Sequence, residues 1–396
     1  MHARLFAIGL AVSLGSAGCA SHPSWRSDSA RFHLVLDVGS SGTSLCLFGM
    51  QTGPGCRMNP NPPICKRVRG GLANLALGKT PEQIESMVQN YLRPAWHALL
   101  EAQHGKNRDA RAQIVAAAAL GTGGFRDAKT GEQLDRPEWT VLWHSLSQFL
   151  RKEAHLASVV ARPLLGTEEG QLAWHGVRAS QRPEESFAIM EVGGATVQLA
   201  LADAPLEKTN VVAVSDPVGQ DRTFTHFTRE APTPEFEVCH RPNERHKQNG
   251  RACVDFLWDR VFAASRVANL AAVSPPRRVY ALGQPWLGLL RELPTSPPWT
   301  QKKKRELPSR ARLSDLLLLA DWACQKTDAE LQAIAPHSYE AKRGAGRTCY
   351  SVAYHAAYFL AIQALSRNGE VIPGGDEQWA RGAAVSDQFF PDCRTP

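Results

Sequence analysis

The sequence predicts an α/β protein of two related domains, and three observations carry that prediction. A short motif occurs twice, 154 positions apart, as Asp37-Val38-Gly39-Ser40-Ser41-Gly42-Thr43 and as Glu191-Val192-Gly193-Gly194-Ala195-Thr196. Each copy sits between two apolar runs, Leu34-Val35-Leu36 and Leu45-Cys46-Leu47-Phe48 in the first, Phe187-Ala188-Ile189-Met190 and Val197 to Leu201 in the second, the pattern of a hairpin with buried strands. Strand, turn and helix patterns alternate in both halves, and 396 residues suffice for two ordinary cores.

The chain begins differently from the rest. Met1-His2-Ala3-Arg4 is short and weakly basic, and Leu5 to Gly18 is apolar but too short to span a membrane comfortably, so residues 1–19 read as an export signal. Ser16-Ala17-Gly18-Cys19 resembles a bacterial lipoprotein cleavage box, with Ser16 where an aliphatic residue is usual; Cys19 would carry the lipid. Ala20 lacks the Asp that marks inner-membrane retention, so the expected destination is the periplasm, lipid-anchored at the outer membrane, or the medium. Residues 20–30 form a polar tether.

The expected domains are 31–163, which holds the first hairpin, and 164–378, which holds the second, with 379–396 returning to the first. The first hairpin (32–48) leads into a Pro, Gly and Cys-rich loop over 51–66. Thr80-Pro81-Glu82 has the form of a helix start, with Thr80 as N-cap, and helical spacing continues to about Gln103. Ile114 to Leu120 is a short apolar run ending in Gly121-Thr122-Gly123-Gly124-Phe125-Arg126, a buried strand delivering a turn. Helices are predicted over 137–154, from Leu164-Leu165-Gly166 through Val177, over 313–324 and over 348–366. Val279 to Gly283 is one more strand and turn, 203–255 reads as loop-rich, and a short segment starts at Trp379.

The net charge of +7 biases the chain toward anionic ligands. The sharpest basic cluster, Lys302-Lys303-Lys304-Arg305, lies among prolines and reads as a solvated loop, so nucleic acid is not an expected partner. Export makes disulfides reasonable among the remaining eight cysteines. Local bridges are expected for Cys56 with Cys65, Cys239 with Cys253 and Cys324 with Cys349; Cys46 either pairs with Cys393 or stays a buried thiol. No spacing matches a zinc site.

An acidic residue closing a strand before a Gly and hydroxyl turn offers backbone N–H groups to an anion and a carboxylate to its metal. Two such turns would grip a polyphosphate from both sides. The ordered set Asp37 to Thr43, Thr122 to Arg126, Gly166 to Trp174, Glu191 to Gln198 and Trp379 to Ala383 resembles the apyrase-type nucleoside triphosphate diphosphohydrolases, a family with five short conserved regions in this order. The resemblance spans nearly the whole chain after the signal. It implies two RNase H-like domains of the actin, Hsp70 and sugar-kinase type, with the active site in the cleft between them. It also implies hydrolysis of terminal phosphates from nucleoside tri- and diphosphates with Ca2+ or Mg2+.

Phosphoryl transfer asks the protein for position and charge rather than covalent chemistry. By the resemblance, Glu169 of Gly166-Thr167-Glu168-Glu169-Gly170 is the catalytic base, and Thr196 and Gln198 hold the attacking water. Asp37 and Glu191 would bind the metal through its waters, with Thr122 and Trp379 around the same water shell. Ser40, Ser41, Gly42, Thr43, Thr122, Arg126, Gly193, Gly194 and Ala195 would contact phosphate. Tyr350 and Tyr354 either stack on the nucleoside or pack in the core. Three positions depart from the family: Gly123 replaces the usual Ala, and Glu191 the usual Asp. Gly42 replaces a His or Arg, a lost charge-assisted contact of about 1.5 to 3 kcal/mol. The rival readings are an exopolyphosphatase-like enzyme, a sugar kinase, and a nucleotide-binding lipoprotein without turnover; the oligomeric state is left open.

Overall fold

The computed structural model describes residues 31–51, 56–59, 61–104, 113–127, 129–157, 159–181, 183, 186–202, 210–240, 249–273, 278–283, 312–334, 345–363, 370–375, 378–390 and 393. The export signal, Cys19, the tether and the Lys302 to Arg305 cluster lie outside them.

The two halves repeat one topology. Strands β1 (Arg31–Val38), β2 (Gly42–Met50), β3 (Ile64–Arg69), β4 (Ile114–Gly121) and β5 (Val159–Pro163) form a sheet of order β3-β2-β1-β4-β5. Strands β6 (Ala188–Val192), β7 (Val197–Ala202), β8 (Val211–Asp216), β9 (Arg278–Leu282) and β10 (Glu370–Gly375) form a second, of order β10-β9-β6-β7-β8. In each sheet the hairpin strands run antiparallel and the two crossover strands run parallel to the first hairpin strand or to each other. This is the two-domain, RNase H-like and actin-like α/β fold that the sequence predicts.

Side-chain alternation along the strands sorts the interior into three cores. Phe32, Leu34, Leu36 and Val38 of β1 face α2 (Pro81–His104) and α3 (Pro137–Ala154), while Val35 faces the other way. In the second sheet Ala188, Met190 and Val192 face an outer layer that includes α6 (Gly250–Leu257), α8 (Leu313–Cys324) and α10 (Ala345–Gln363), and Ile189 faces inward. Between the sheets lies a central core containing Val35, Cys46, Ile189, Tyr280, Trp174 of α4 (Gly166–Gln181) and Trp379 of α11 (Gln378–Ala384). Trp174 stacks on Phe187 at 4.7 Å between ring centres, and its indole N–H donates to the Phe187 carbonyl.

Local chemistry explains where the elements begin. At the head of α2 the Thr80 hydroxyl accepts from the Gln83 N–H, and the Gln83 side chain accepts from the Thr80 N–H, a reciprocal cap. Helices α4 and α11 cross at two glycines: a side chain at Gly176 would overlap the Gln378 carbonyl, and one at Gly382 the Leu172 carbonyl. Only hydrogen at both positions lets the backbones touch.

The structure corrects two sequence expectations. Of the four disulfides, Cys239–Cys253 and Cys324–Cys349 form as expected, but the others are Cys46–Cys65 and Cys56–Cys393. The register of β2 on β3 sets Cys46 directly opposite Cys65, 4.2 Å apart at Cα, so the nearer cysteine in sequence, Cys56, is left for the C-terminus. The stretch 203–255 is also more ordered than its composition suggests: β8 and α5 (Gln220–Thr225) lie within it, and α6 begins there.

Candidate active site

The two repeated motifs fold into matching turns. Val38 pairs with Thr43 and Val192 with Val197; inside each turn the first glycine donates back, Gly39 N–H to the Gly42 carbonyl at 2.9 Å and Gly193 N–H to the Thr196 carbonyl at 3.0 Å. Asp37 and Glu191 therefore occupy the same place in each sheet, one residue before the last of β1 and β6, and both are half-buried. The carbonyls of the second turn are taken: Gln220 N–H binds Gly193 O, while Asp221 and Arg222 N–H bind Gly194 O. Among the described residues, the N–H groups of Ser40, Ser41, Gly194 and Ala195 donate to no backbone carbonyl. Those donors are what a phosphate group requires.

A third turn joins the two. Gly123 and Gly124 follow β4, and a methyl group at Gly124 would stand 3.1 Å from Ser40 Cα in the first turn. One at Gly123 would stand 3.0 Å from Ala195 Cβ and 3.3 Å from Thr196 Oγ1 in the second. The Gly at 123 is thus matched to the Ala at 195, since two methyl groups there would crowd each other. Thr122, buried at the start of this turn, donates its N–H to Val38 O; its hydroxyl and Asp37 Oδ1 both lie next to Gly39.

Glu169 enters from the first turn of α4 and is 6% exposed. Its Oε2 accepts from Arg126 Nη2 at 2.7 Å and from Gln198 Nε2 at 3.1 Å. Gln198 Nε2 also lies 2.9 Å from Thr196 Oγ1 and 3.3 Å from Ser215 Oγ. Glu169 Oε1 and Gln198 Oε1 accept no hydrogen bond from the described residues. The Gln198 backbone is fixed in turn by the Tyr358 hydroxyl, which donates to its carbonyl. Beside Glu169, Glu168 faces away: burial pushes its pKa up, but Arg162, the Leu165 N–H and Gln388 outweigh that and hold it below the ordinary carboxylate value. Arg162 binds Glu168 through two nitrogens, so the residue next to the candidate base anchors the helix start.

The structure thus brings Asp37, the 39–42 turn, Thr122, Arg126, Glu169, Glu191, the 193–196 turn and Gln198 together. Four of the residues expected to contact phosphate or nucleoside are buried: Arg126, Thr43, Tyr350 and Tyr354. Arg126, expected on a phosphate, has a side chain only 1% exposed, and its guanidinium binds Glu169 and the Leu164 carbonyl. In this structure it holds the carboxylate. Thr43 is wholly buried beneath its turn. Tyr350 and Tyr354 offer no face to a base: both are fully buried, and their hydroxyls donate to the carbonyls of Gln220 and Val218. Trp379 is 4% exposed within the central core.

Sequence reasoning missed Ser215, Asp221 and Arg67. Ser215 and Asp221 fall in the stretch read as loop. Asp221 flanks Gly194 and pairs with Arg347, whose guanidinium lies 3.8 Å from the centre of the Phe224 ring. Arg67 Nη2 donates to Ser41 Oγ at 3.0 Å.

No family model matches this sequence, and no curated protein matches it either. Solved structures do share its fold. A Ppx/GppA phosphatase of Aquifex aeolicus, in its type II variant, superposes with a TM-score of 0.56 at 15% identity, covering 91% of this chain and 100% of that one. An exopolyphosphatase from Cytophaga hutchinsonii gives 0.53 at 15% identity over 87% and 94% of the two chains. A nucleoside triphosphate hydrolase structure from Neospora caninum gives 0.56 at 12% identity over 90% and 93%. At such identities the likeness is one of fold.

Proposed function

We propose that this chain is an exported phosphohydrolase that releases terminal phosphates from nucleoside tri- and diphosphates by in-line attack of water. The observation that carries this reading is the state of Glu169. One carboxylate oxygen accepts from both Arg126 and Gln198, the other accepts nothing from the described residues, and the N–H groups of Ser40, Ser41, Gly194 and Ala195 donate to no backbone carbonyl among them. A water donating one hydrogen to Glu169 Oε1 and the other to Gln198 Oε1 would turn a lone pair toward a phosphorus held by the turns. Glu169 takes the proton as the bond to phosphorus forms, and the leaving phosphate oxygen departs on the opposite side. A protein that only binds nucleotide has no use for an oriented buried carboxylate.

The residues fit a divalent cation. Asp37, Glu191 and the Thr122 hydroxyl supply oxygen donors only, which suits Ca2+ or Mg2+ held partly through water. Such an ion would neutralise phosphate charge when bound. Four disulfides support an oxidising compartment, in keeping with the export signal and a lipid on Cys19.

The second reading, hydrolysis of inorganic polyphosphate, is favoured by one observation: the two tyrosines expected to hold a base are buried. It keeps every other role. Phosphate release from ATP, ADP, UDP and polyphosphate with Ca2+, Mg2+ or EDTA separates the two. Turnover of the nucleotides supports the first; turnover of polyphosphate alone moves the assignment to the second. No release from any of them sinks both.

A further inference from the structure

Gly42 occupies the corner of the first turn, and its surroundings explain why no side chain stands there. A Cβ at this position would lie 2.5 Å from the Val68 carbonyl oxygen, 3.1 Å from Arg67 Nε and 3.6 Å from Arg67 Nη2. The space beside the glycine is thus already filled by a guanidinium, delivered from the neighbouring strand. Arg67 stands on β3 opposite Ser44 and reaches back along the sheet to the turn, where Nη2 donates to the hydroxyl of Ser41. Both Ser41 and Arg67 are exposed.

Arg67 and Arg126 are in opposite situations. Arg126 is enclosed, with its charge matched by Glu169. Arg67 has no carboxylate partner among the described residues, and Ser41 Oγ takes one of its five N–H donors. The remaining donors and the positive charge stand at the mouth of a turn with unclaimed backbone N–H groups.

We propose that Arg67 is a phosphate-contacting residue: its guanidinium binds the terminal phosphoryl group seated on the 39–42 turn, filling from β3 the cationic position that Gly42 leaves open. The inference rests on the phosphohydrolase reading for its substrate, the end of a phosphoanhydride chain. A planar fork meeting phosphate oxygens gives charge and direction together. Because the group lies at the chain end and not at a base, its contact is shared by nucleotide and polyphosphate substrates alike.

The test uses the full-length exported protein with inorganic phosphate as the direct probe, by calorimetry, and with ATP and polyphosphate in steady-state assays. Arg67→Ala should weaken phosphate binding and raise KM by about 10- to 100-fold, the worth of one charge-assisted hydrogen bond. Arg67→Lys keeps the charge and should recover part of the loss. Arg67→Gln can keep the bond to Ser41 without the charge and should not. Arg93→Ala, a charge removed from the exposed face of α2, should leave both readouts unchanged. Wild-type phosphate affinity and KM in Arg67→Ala would overturn the proposal, and so would full recovery by Arg67→Gln, which would make Arg67 only a pin for the turn. If the wild type released no phosphate from any substrate, the phosphohydrolase reading would fall, while phosphate calorimetry would still decide whether Arg67 binds the anion.

Discussion

Replacing Glu169 by Gln separates the chemistry of this site from its architecture. The ion pair with Arg126 is 2.7 Å long, with side-chain exposures of 1% and 7%, so both charges depend on each other. Truncating one member of such a pair costs about 3 to 5 kcal/mol, because the other charge stays buried. Gln keeps an oxygen where Oε2 accepts from Arg126 and Gln198 but loses the charge that matches the guanidinium, so the loss should fall at the lower end of that range, about 3 kcal/mol. Catalysis loses more: an amide cannot take a proton from water, and removing a general base lowers turnover by about 100- to 10,000-fold. Phosphate release should therefore collapse while nucleotide binding persists and the urea midpoint falls; Glu169→Ala, which also loses the accepting oxygen, should lose turnover and more stability. Turnover of Glu169→Gln within tenfold of wild type would refute the assignment of the base.

Other perturbations read other parts of the structure. His355 is fully buried on α10, and burial lowers its pKa to about 4. The native state holds it neutral while the unfolded chain binds a proton below about 6.5, so stability is intact above that value. As pH falls from 6.5 to 4, about 3 kcal/mol should be lost, and His355→Gln should flatten that slope in urea titrations. The Cys56–Cys393 bridge closes 337 positions and the Cys46–Cys65 bridge 19. Loop entropy then predicts about 6 kcal/mol for the first and about 3 for the second, so Cys56→Ser with Cys393→Ser should lower the melting temperature further than Cys46→Ser with Cys65→Ser. Gly176→Ala forces α4 from α11 and should cost at least about 1 to 3 kcal/mol together with much of the turnover, since α4 carries Glu169.

What could be read from the sequence follows from how local each determinant is. The two hairpins were legible because their turns and flanking apolar runs are contiguous, and Thr80-Pro81 announced α2 through a cap that needs only four residues. Glu169, Thr196 and Gln198 were found through motifs, and their mutual contacts followed. Pairing across strands was not legible: Cys46 meets Cys65 through a register that no spacing encodes. Arg67 was hidden for the same reason, since β3 begins inside a stretch read as loop and its partner Ser41 is 26 positions earlier. Tyr350 and Tyr354 show the opposite difficulty. An aromatic pair four residues apart on a helix has the same pattern whether it faces a ligand or a core; in the structure both rings are buried.

The contact of α4 with α11 also bears on when this protein becomes competent. Helix α4 emerges less than halfway through synthesis, yet its surface at Gly176 is completed by a helix that ends at Ala384, with Ser180 bonded to Gln378 across the same junction. The last segment is further fastened by His33, whose ring stacks on Phe390 and whose Nδ1 meets the Ala384 carbonyl, and by the bridge from Cys393 to Cys56. A growing chain therefore lacks the inner layer on which the candidate base is mounted. The mounting of Glu169 is complete only when the final residues have folded back onto α4 and Cys393 has been joined to Cys56.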